Sequence, residues 1–146
     1  MKLMSFNCRG LVGPLKRSTL KRVVFCEHPD IIVLQETLGH GEEVKAWLEK
    51  KNFGWRFEAL DVRGRSRDLA VGLNTRVVKE RNVWGMDLVL GISCSTLELD
   101  VEFTILNVYG PYHDRAPFWE NTLNKSCVRS DSLIIGGYLN FCLGQA

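Results

Sequence analysis

The apolar run Ile31-Ile32-Val33-Leu34 leads directly into Gln35 and Glu36. Three of these four apolar residues are β-branched, and an uninterrupted run of this kind predicts a strand buried on both faces. Ligands of open α/β sheets bind beyond the carboxyl ends of the strands, so Glu36 is a candidate functional carboxylate. The competing interpretation is a solvated acid at the start of a loop, and the run alone does not decide between the two.

The segments before this strand predict a βαβ unit. Residues 3–8 are predicted to form a short strand. An amphipathic helix is predicted over residues 16–28 because Leu20, Val23 and Val24 recur at helical spacing. The basic residues of that helix, Lys16, Arg17, Lys21 and Arg22, are predicted to form a solvated face. A strand, a helix and a second strand then follow one another within 36 residues.

The rest of the chain predicts a second helix, a run of strands, a third helix and a last strand. The strands are expected at residues 55–60, 69–73, 77–84, 87–94, 97–109 and 132–135, and the helices at residues 42–51 and after the N-cap candidate Asp114. Gly136 and Gly137 are interpreted as a tight bend. Strands that follow one another without helices indicate antiparallel pairing, so we expect an α/β fold with a mixed, mostly antiparallel sheet and flanking helices.

Composition excludes several classes of protein. The five cysteines are an odd number without CxxC spacing, which favours buried free thiols over disulfides or a zinc site. No apolar run is long enough to cross a membrane, and the N-terminus lacks the apolar core of a signal peptide. We therefore expect an intracellular protein, nuclear or cytoplasmic, without membrane contact. The net charge of +2 identifies no partner.

Four predicted strands end in polar residues beside a turn. These residues are Asn7, Glu36, the pair Asn107 and Tyr109, and Asn140. Asparagine and tyrosine can donate hydrogen bonds to a phosphate without adding charge, and a lone glutamate suits Mg²⁺, which keeps several waters. The alternatives are turn-forming asparagines and a half-buried aromatic. Convergence of these side chains would indicate one polar cleft.

Three arginines, Arg63, Arg65 and Arg67, fall in a polar turn between two predicted strands. They are candidates for contacts with nucleic-acid phosphates. The alternative is a solvated turn.

Five motifs occur along the chain in a recognisable order, at residues 5–11, 29–37, 107–111, 118–119 and 134–141. Together they resemble the endonuclease/exonuclease/phosphatase superfamily, and within it the endonuclease domain of LINE-type (non-LTR) retrotransposons. The resemblance extends over the whole chain. Each motif alone is weak, and the specificity lies in their common order.

The resemblance implies a four-layer α/β sandwich and Mg²⁺-dependent hydrolysis of DNA phosphodiesters. Glu36 would be the metal ligand, and Asn7 would orient an acid or water at the metal. Tyr109 would contact the scissile phosphate or the leaving oxygen, and Asn140 would hydrogen-bond the phosphate or the nucleophile.

Two departures from the family pattern alter this expectation. The family has Gly-Asp-x-Asn near the last strand, where this chain has Tyr138 at the aspartate position. A phenol with a pKa near ~10 cannot replace that base at neutral pH. Family members also continue beyond this point to an Asp-His pair. Residues 1–146 are therefore expected to be a single truncated domain, the N-terminal portion of such a nuclease.

Three functional expectations follow from these departures. DNA hydrolysis should be impaired. The alternative function is a catalytically inactive fragment that acts as a nucleic-acid or protein binding module. An exposed sheet edge should promote self-association.

Overall fold

The computed structural model describes residues 1–51, 54–61, 68–125, 128 and 132–140. The described residues form three helices and eight strands. In chain order these are β1 (Leu3–Asn7), α1 (Pro14–Glu27), β2 (Ile31–Gln35), α2 (Gly41–Lys51), β3 (Trp55–Leu60), β4 (Leu69–Asn74), β5 (Val78–Met86), β6 (Val89–Thr96), β7 (Glu102–Tyr109), α3 (Arg115–Leu123) and β8 (Leu133–Tyr138).

The strands form two four-stranded sheets. The first has the order β1-β2-β4-β3 and the second the order β5-β6-β7-β8. The pairs β1–β2 and β7–β8 are parallel, and all other pairs are antiparallel. Every residue of β2 is buried, as the apolar run predicts, because this strand lies inside its sheet and between layers.

The layers follow the order helix, sheet, sheet, helix. Side chains such as Val33 and Val71 of the first sheet and Ile105 of the second form the core between the sheets. Leu20 of α1 and Leu48 of α2 join a separate core on the outer face of the first sheet. Phe118 and Trp119 of α3 pack on the second sheet, in a third apolar cluster. The expected α/β sandwich is therefore confirmed.

The predicted βαβ unit is also confirmed, and it fixes the position of the candidate site. In the parallel pair β1–β2, Asn7 lies opposite Gln35. In the parallel pair β7–β8, Tyr109 lies opposite Tyr138. Each parallel pair therefore presents its polar C-terminal residues at a common edge of its own sheet.

Gly136 and Gly137 do not form the expected tight bend. Both lie within β8, opposite Asn107 and Val108. A Cβ atom at Gly137 would stand 2.0 Å from the carbonyl oxygen of Val108, and its φ of +133° is one that residues with side chains rarely adopt. Gly137 thus allows the backbones of β7 and β8 to approach each other closely, which is a known role of glycine within strands.

Asp114 is the N-cap residue of α3 as predicted, although its backbone is left-handed (φ 52°) and its side chain makes no capping hydrogen bond. One smaller expectation was wrong. Residues 97–101, expected within a strand, form the connection between β6 and β7. Cys26 is exposed, whereas Cys8 and Cys94 are buried free thiols as expected.

No helix in the described part of the chain combines the length and the apolar character needed to cross a membrane.

Candidate active site

Glu36 lies immediately after β2, and its carboxylate accepts hydrogen bonds from both sheets. Oε1 accepts from Nδ2 of Asn7 at 3.2 Å and from the hydroxyl of Tyr109 at 3.1 Å. Glu36 is half-buried and has a left-handed backbone, with φ 54°. Among the described residues no hydrogen bond reaches Oε2. One carboxylate oxygen is thus held in place, and the other is left for a further ligand.

Asn7 is held in the orientation that serves Glu36. Its Oδ1 accepts a hydrogen bond from the backbone N–H of Arg9 at 3.1 Å, so its amide nitrogen points to Glu36. The following loop runs beside residues 36 and 37, since the N–H of Gly10 donates to the carbonyl of Glu36 at 2.7 Å. Asn7 therefore combines the local turn role and the contact with the carboxylate, which the sequence had left as alternatives.

Tyr109 is buried, and its hydroxyl is a neutral hydrogen-bond donor. Burial raises its pKa most, and hydrogen bonds with Tyr112 and Glu36 raise it further. The phenol therefore stays protonated throughout the physiological pH range and can donate to Oε1 of Glu36. Tyr112 was not recognised from the sequence. Its only distinguishing feature there is its position directly after Gly110 and Pro111.

Asn140 lies beside the end of β7, and the fold brings it next to Gly110, 30 positions earlier in the chain. Its Nδ2 donates a hydrogen bond to the carbonyl of Gly110, whose own N–H donates to the carbonyl of Tyr138 at 2.7 Å. Asn140 also has a left-handed backbone, with φ 54°. The structure gives it no direct hydrogen bond to Glu36 among the described residues, so it flanks the carboxylate cluster rather than joining it.

Tyr138 lies next to Tyr109 and is largely accessible. The two ring centroids are 5.5 Å apart with the planes at 42°, and Tyr138 is 44% exposed. The position that resembles a family aspartate thus presents an aromatic face to solvent. The other expected nucleic-acid contacts, Arg63, Arg65 and Arg67, lie outside the described residues.

A buried polar pair lies under the site. Nε2 of Gln35 donates to Oδ1 of Asn107 at 2.8 Å, and Nδ2 of Asn107 donates to the carbonyls of Leu34 and Ala70 at 2.8 and 2.9 Å. Asn107 is completely buried, so its grouping with the strand-end site residues was wrong. The pair connects the two sheets one residue before Glu36 and two before Tyr109, and its sequence signal is a polar residue within each apolar strand.

The residues present are compatible with Mg²⁺ bound through water. Among the described residues, no group of three or more histidine, cysteine, aspartate or glutamate side chains is arranged to hold a metal ion. Mg²⁺ needs fewer protein ligands, since it typically keeps several waters and takes one or two carboxylates. The open Oε2 of Glu36, flanked by neutral amide and hydroxyl groups, fits this mode.

The sequence matches no family model and no curated protein, whereas the structure matches many solved structures. Zebrafish (D. rerio) TDP2 bound to a single-strand DNA product matches with a TM-score of 0.72 at 15% identity, over 96% of this chain and 60% of that chain. The endonuclease domain of TRAS1, a telomere-specific non-LTR retrotransposon, matches with a TM-score of 0.69 at 14% identity, over 97% and 61% of the two chains.

A third match carries the name of the fold family. An endonuclease/exonuclease/phosphatase family protein from Bacteroides thetaiotaomicron has a TM-score of 0.70 at 13% identity, over 94% of this chain and 62% of that chain. This chain therefore spans about 60% of the length of these three structures. At such low identity the likeness establishes architecture, and the chain has the fold of the endonuclease/exonuclease/phosphatase proteins.

Proposed function

We propose that the chain binds Mg²⁺ and a DNA phosphodiester at Glu36, as a LINE-type endonuclease does, with impaired hydrolysis. The observation that carries the proposal is the Glu36 carboxylate, whose Oε1 is held by Asn7 and Tyr109 while Oε2 has no partner among the described residues. A carboxylate fixed from two sheets is pre-organised for a ligand. The DNA-bound TDP2 and the retrotransposon endonuclease domain, which share the fold, support nucleic acid as the ligand class.

The side chains around Glu36 have complementary roles in this proposal. Mg²⁺, when bound, would neutralise the charge on a phosphate. Asn7 and Tyr109 keep the carboxylate in position before a ligand binds. Tyr109 has a single hydroxyl hydrogen, so in this proposal the hydroxyl turns from Oε1 of Glu36 to donate to a phosphate or leaving oxygen. The amide nitrogen of Asn140 has two hydrogens, of which Gly110 uses one, so a second donor remains for a phosphate.

Tyr138 is the reason to propose impaired hydrolysis. It stands where the resembling family has the aspartate expected to position or activate the attacking water. A neutral phenol cannot accept that proton at neutral pH, and general acid–base help is worth ~10²–10⁴ in rate. The second candidate function is a nucleic-acid binding module without turnover, and it is favoured by the exposed aromatic ring at this position.

Metal binding is tested by titrating Mg²⁺ calorimetrically into the purified chain and into Glu36→Gln. We expect binding to the unmodified chain and its loss in Glu36→Gln, which keeps the size of the side chain and removes the charge. Glu27→Gln is the matched control, because Glu27 is an exposed carboxylate paired with Lys2 at the end of α1. Equal Mg²⁺ binding by the chain and by Glu36→Gln would contradict the proposed metal ligand.

Hydrolysis is tested by nicking of supercoiled plasmid in Mg²⁺. We expect no measurable nicking by the unmodified chain. Restoration of nicking by Tyr138→Asp would assign the defect to this one position, whereas an inactive Tyr138→Asp chain that still binds Mg²⁺ would favour the binding module. Mg²⁺-dependent nicking by the unmodified chain, abolished by Glu36→Gln, would contradict impaired hydrolysis.

A further inference from the structure

The sequence has three tyrosines, and Tyr112 and Tyr138 both lie against Tyr109, whose hydroxyl contacts Glu36. Tyr109 is buried and hydrogen-bonds with both Glu36 and Tyr112, and its ring packs 5.5 Å from that of Tyr138. Tyr112 and Tyr138 are 54% and 44% exposed, whereas Tyr109 is 6% exposed. The cluster therefore has one ring in the core and two rings with accessible faces. Packing of the core explains why Tyr109 is aromatic, but it does not explain why the exposed positions 112 and 138 carry aromatic rings.

The backbone that carries the Tyr138 ring is fixed by contacts with β7, and the ring itself packs against Tyr109. Tyr138 is paired with Tyr109 across the parallel strands, and its carbonyl accepts the N–H of Gly110 at 2.7 Å. Gly137 immediately before it lies so close to Val108 that no Cβ would fit there. An aromatic face held in this way loses little freedom when a flat ligand packs on it, and this favours binding.

The chemistry beside the rings fits a nucleic-acid strand. Asn7 and Asn140 offer neutral donors near Glu36, and the exposed Arg9 lies on the adjoining loop, where Nζ of Lys16 donates to the Arg9 carbonyl. Phosphates are attracted to such cations, and bases stack on aromatic side chains with little regard to sequence. Inside a duplex the base faces are covered by neighbouring pairs, so an exposed ring stacks more readily on an unpaired base, which needs no unstacking.

We propose that the tyrosine cluster of Tyr109, Tyr112 and Tyr138 binds an unpaired nucleobase of a single-stranded nucleic acid, with Tyr138 as the stacking face. This inference rests on the proposed nucleic-acid site at Glu36 and narrows its ligand to single strands. The resembling family has an aspartate at the position of Tyr138, and its negative charge would repel the phosphates. The ring of Tyr138 has no such charge and offers a face on which a base can stack. Tyr112 supplies a second face and supports the hydroxyl of Tyr109.

The test is the affinity for a labelled 12-nucleotide oligothymidine, measured by fluorescence anisotropy in EDTA. An abasic oligomer of equal length and charge, a 12-base-pair duplex, oligodeoxyuridine and oligouridine are compared with it. We expect the abasic oligomer and the duplex to bind more weakly than oligothymidine. Oligothymidine and oligodeoxyuridine both binding tighter than oligouridine would assign DNA as the strand, and the reverse order would assign RNA; the base contact itself is judged from the abasic oligomer.

The variants separate stacking from other contributions. Tyr138→Phe keeps the ring and should bind oligothymidine as the unmodified chain does, whereas Tyr138→Leu should weaken binding about 5- to 150-fold, the range expected for loss of one stacked base. Tyr112→Leu, in an exposed loop, should also weaken binding. Phe25→Leu is the matched control, because Phe25 is an exposed aromatic (74%) on α1 away from the cluster, and it should change nothing.

Equal affinity for the abasic oligomer and oligothymidine, or unchanged binding by both Tyr138→Leu and Tyr112→Leu, would overturn the inference. Because the assay contains EDTA, it is independent of Mg²⁺ and of hydrolysis. If Mg²⁺ binds at Glu36 but oligothymidine and the abasic oligomer bind equally, the stacking site is contradicted and the metal ligand is not. If binding depends on the base but Mg²⁺ does not bind, the metal ligand is contradicted and the stacking site is not.

Discussion

Glu36 combines a functional side chain with an unfavourable backbone. Its φ of 54° lies in the left-handed region, which glycine adopts without steric cost but residues with a Cβ rarely adopt. Such conformations cost of order 1–3 kcal/mol and concentrate at functional sites, where the surrounding structure enforces them. The hydrogen bonds of the neighbouring loop, from the N–H of Gly10 to Glu36 and from that of Leu11 to Thr37, enforce it here.

This strain predicts an unusual order of stability. Glu36→Gly should have a free energy of unfolding about 1 kcal/mol higher than Glu36→Ala, because glycine adopts φ 54° without a steric cost. Urea denaturation of the two variants measures the difference. At Lys21, exposed in the middle of α1, the order should reverse, since glycine is the poorer helix former. Equal stabilities of the two Glu36 variants would show an unstrained backbone.

The cysteines differ in their expected reactivity. Burial raises the pKa of Cys8 and of Cys94 to about 12, so both thiols stay protonated and inaccessible at pH 8. Cys26 is exposed on α1. Iodoacetamide at pH 8 should therefore modify Cys26 well before Cys8 or Cys94, as judged by peptide mass spectrometry. All three should react alike in 6 M urea, and rapid modification of Cys8 in the folded chain would contradict its burial.

The sequence was informative at Glu36 and silent about its partners. Glu36 could be identified because an apolar run ends there, which is a local pattern. The contact between Gln35 and Asn107 joins residues 72 positions apart, and no local pattern reports which distant strand will lie opposite. Tyr112 escaped notice for the same reason, since only the fold brings it to Tyr109.

At the scale of elements, glycines within strands accommodate large aromatic rings on the neighbouring strand. Trp84 of β5 lies opposite Gly91 of β6, and Phe57 of β3 lies opposite Gly72 of β4. A Cβ at Gly91 would come within 2.2 Å of the Trp84 ring, and one at Gly72 within 2.4 Å of the Phe57 ring. In each pair the aromatic ring occupies the space that a side chain at the glycine would otherwise fill.

Gly91→Ala should therefore destabilise the protein by about 1–3 kcal/mol, the usual cost of overpacking a core. The double variant with Trp84→Ala should lose less free energy of unfolding than the sum of the two single variants. Without the Trp84 ring, the new methyl group at position 91 has nothing to clash with. The free energies of unfolding of the four chains measure this coupling. Gly13→Ala is the control, since no atom lies within 4 Å of a Cβ there. Strict additivity at Gly91 and Trp84 would contradict the steric account.

At the scale of the whole molecule, β8 forms an unpaired edge of the second sheet among the described residues. No strand pairs with its outer side in the described part of the chain. Its sequence from Leu133 to Tyr138 contains no charged residue, and Ile135 is 40% exposed. Edge strands that carry neither charge nor proline tend to pair with other chains. We therefore propose β8 as the strand through which the self-association expected from the sequence takes place.

We expect the purified chain to associate in a concentration-dependent way in sedimentation velocity, and Ile135→Lys to weaken that association. A lysine on the edge adds charge repulsion between two copies of β8. Leu99→Lys is the matched control, because Leu99 is an exposed apolar residue (74%) in the connection between β6 and β7. A monomer at all concentrations, or equal effects of the two lysines, would exclude the β8 edge as the contact.

The layered architecture was largely predictable, because hydrophobic periodicity distinguishes helices from strands along most of the chain. The division into two sheets was not, since it depends on which strands pair after the chain has folded. The role of Gly137 was likewise hidden. A glycine pair suggests a bend, and only the pairing of β8 with β7 shows that it lets two backbones approach.

The buried pair of Gln35 and Asn107 has a consequence for the order of folding. It joins β2 to β7 across 72 residues, and Tyr109 reaches Glu36 across 73. Closing loops of that length is entropically costly, so we expect contacts between the sheets to form late relative to the local β1-α1-β2 unit. On that expectation the carboxylate cluster at Glu36 forms only when the two sheets dock, and a ligand bound there should slow unfolding without speeding the earlier steps.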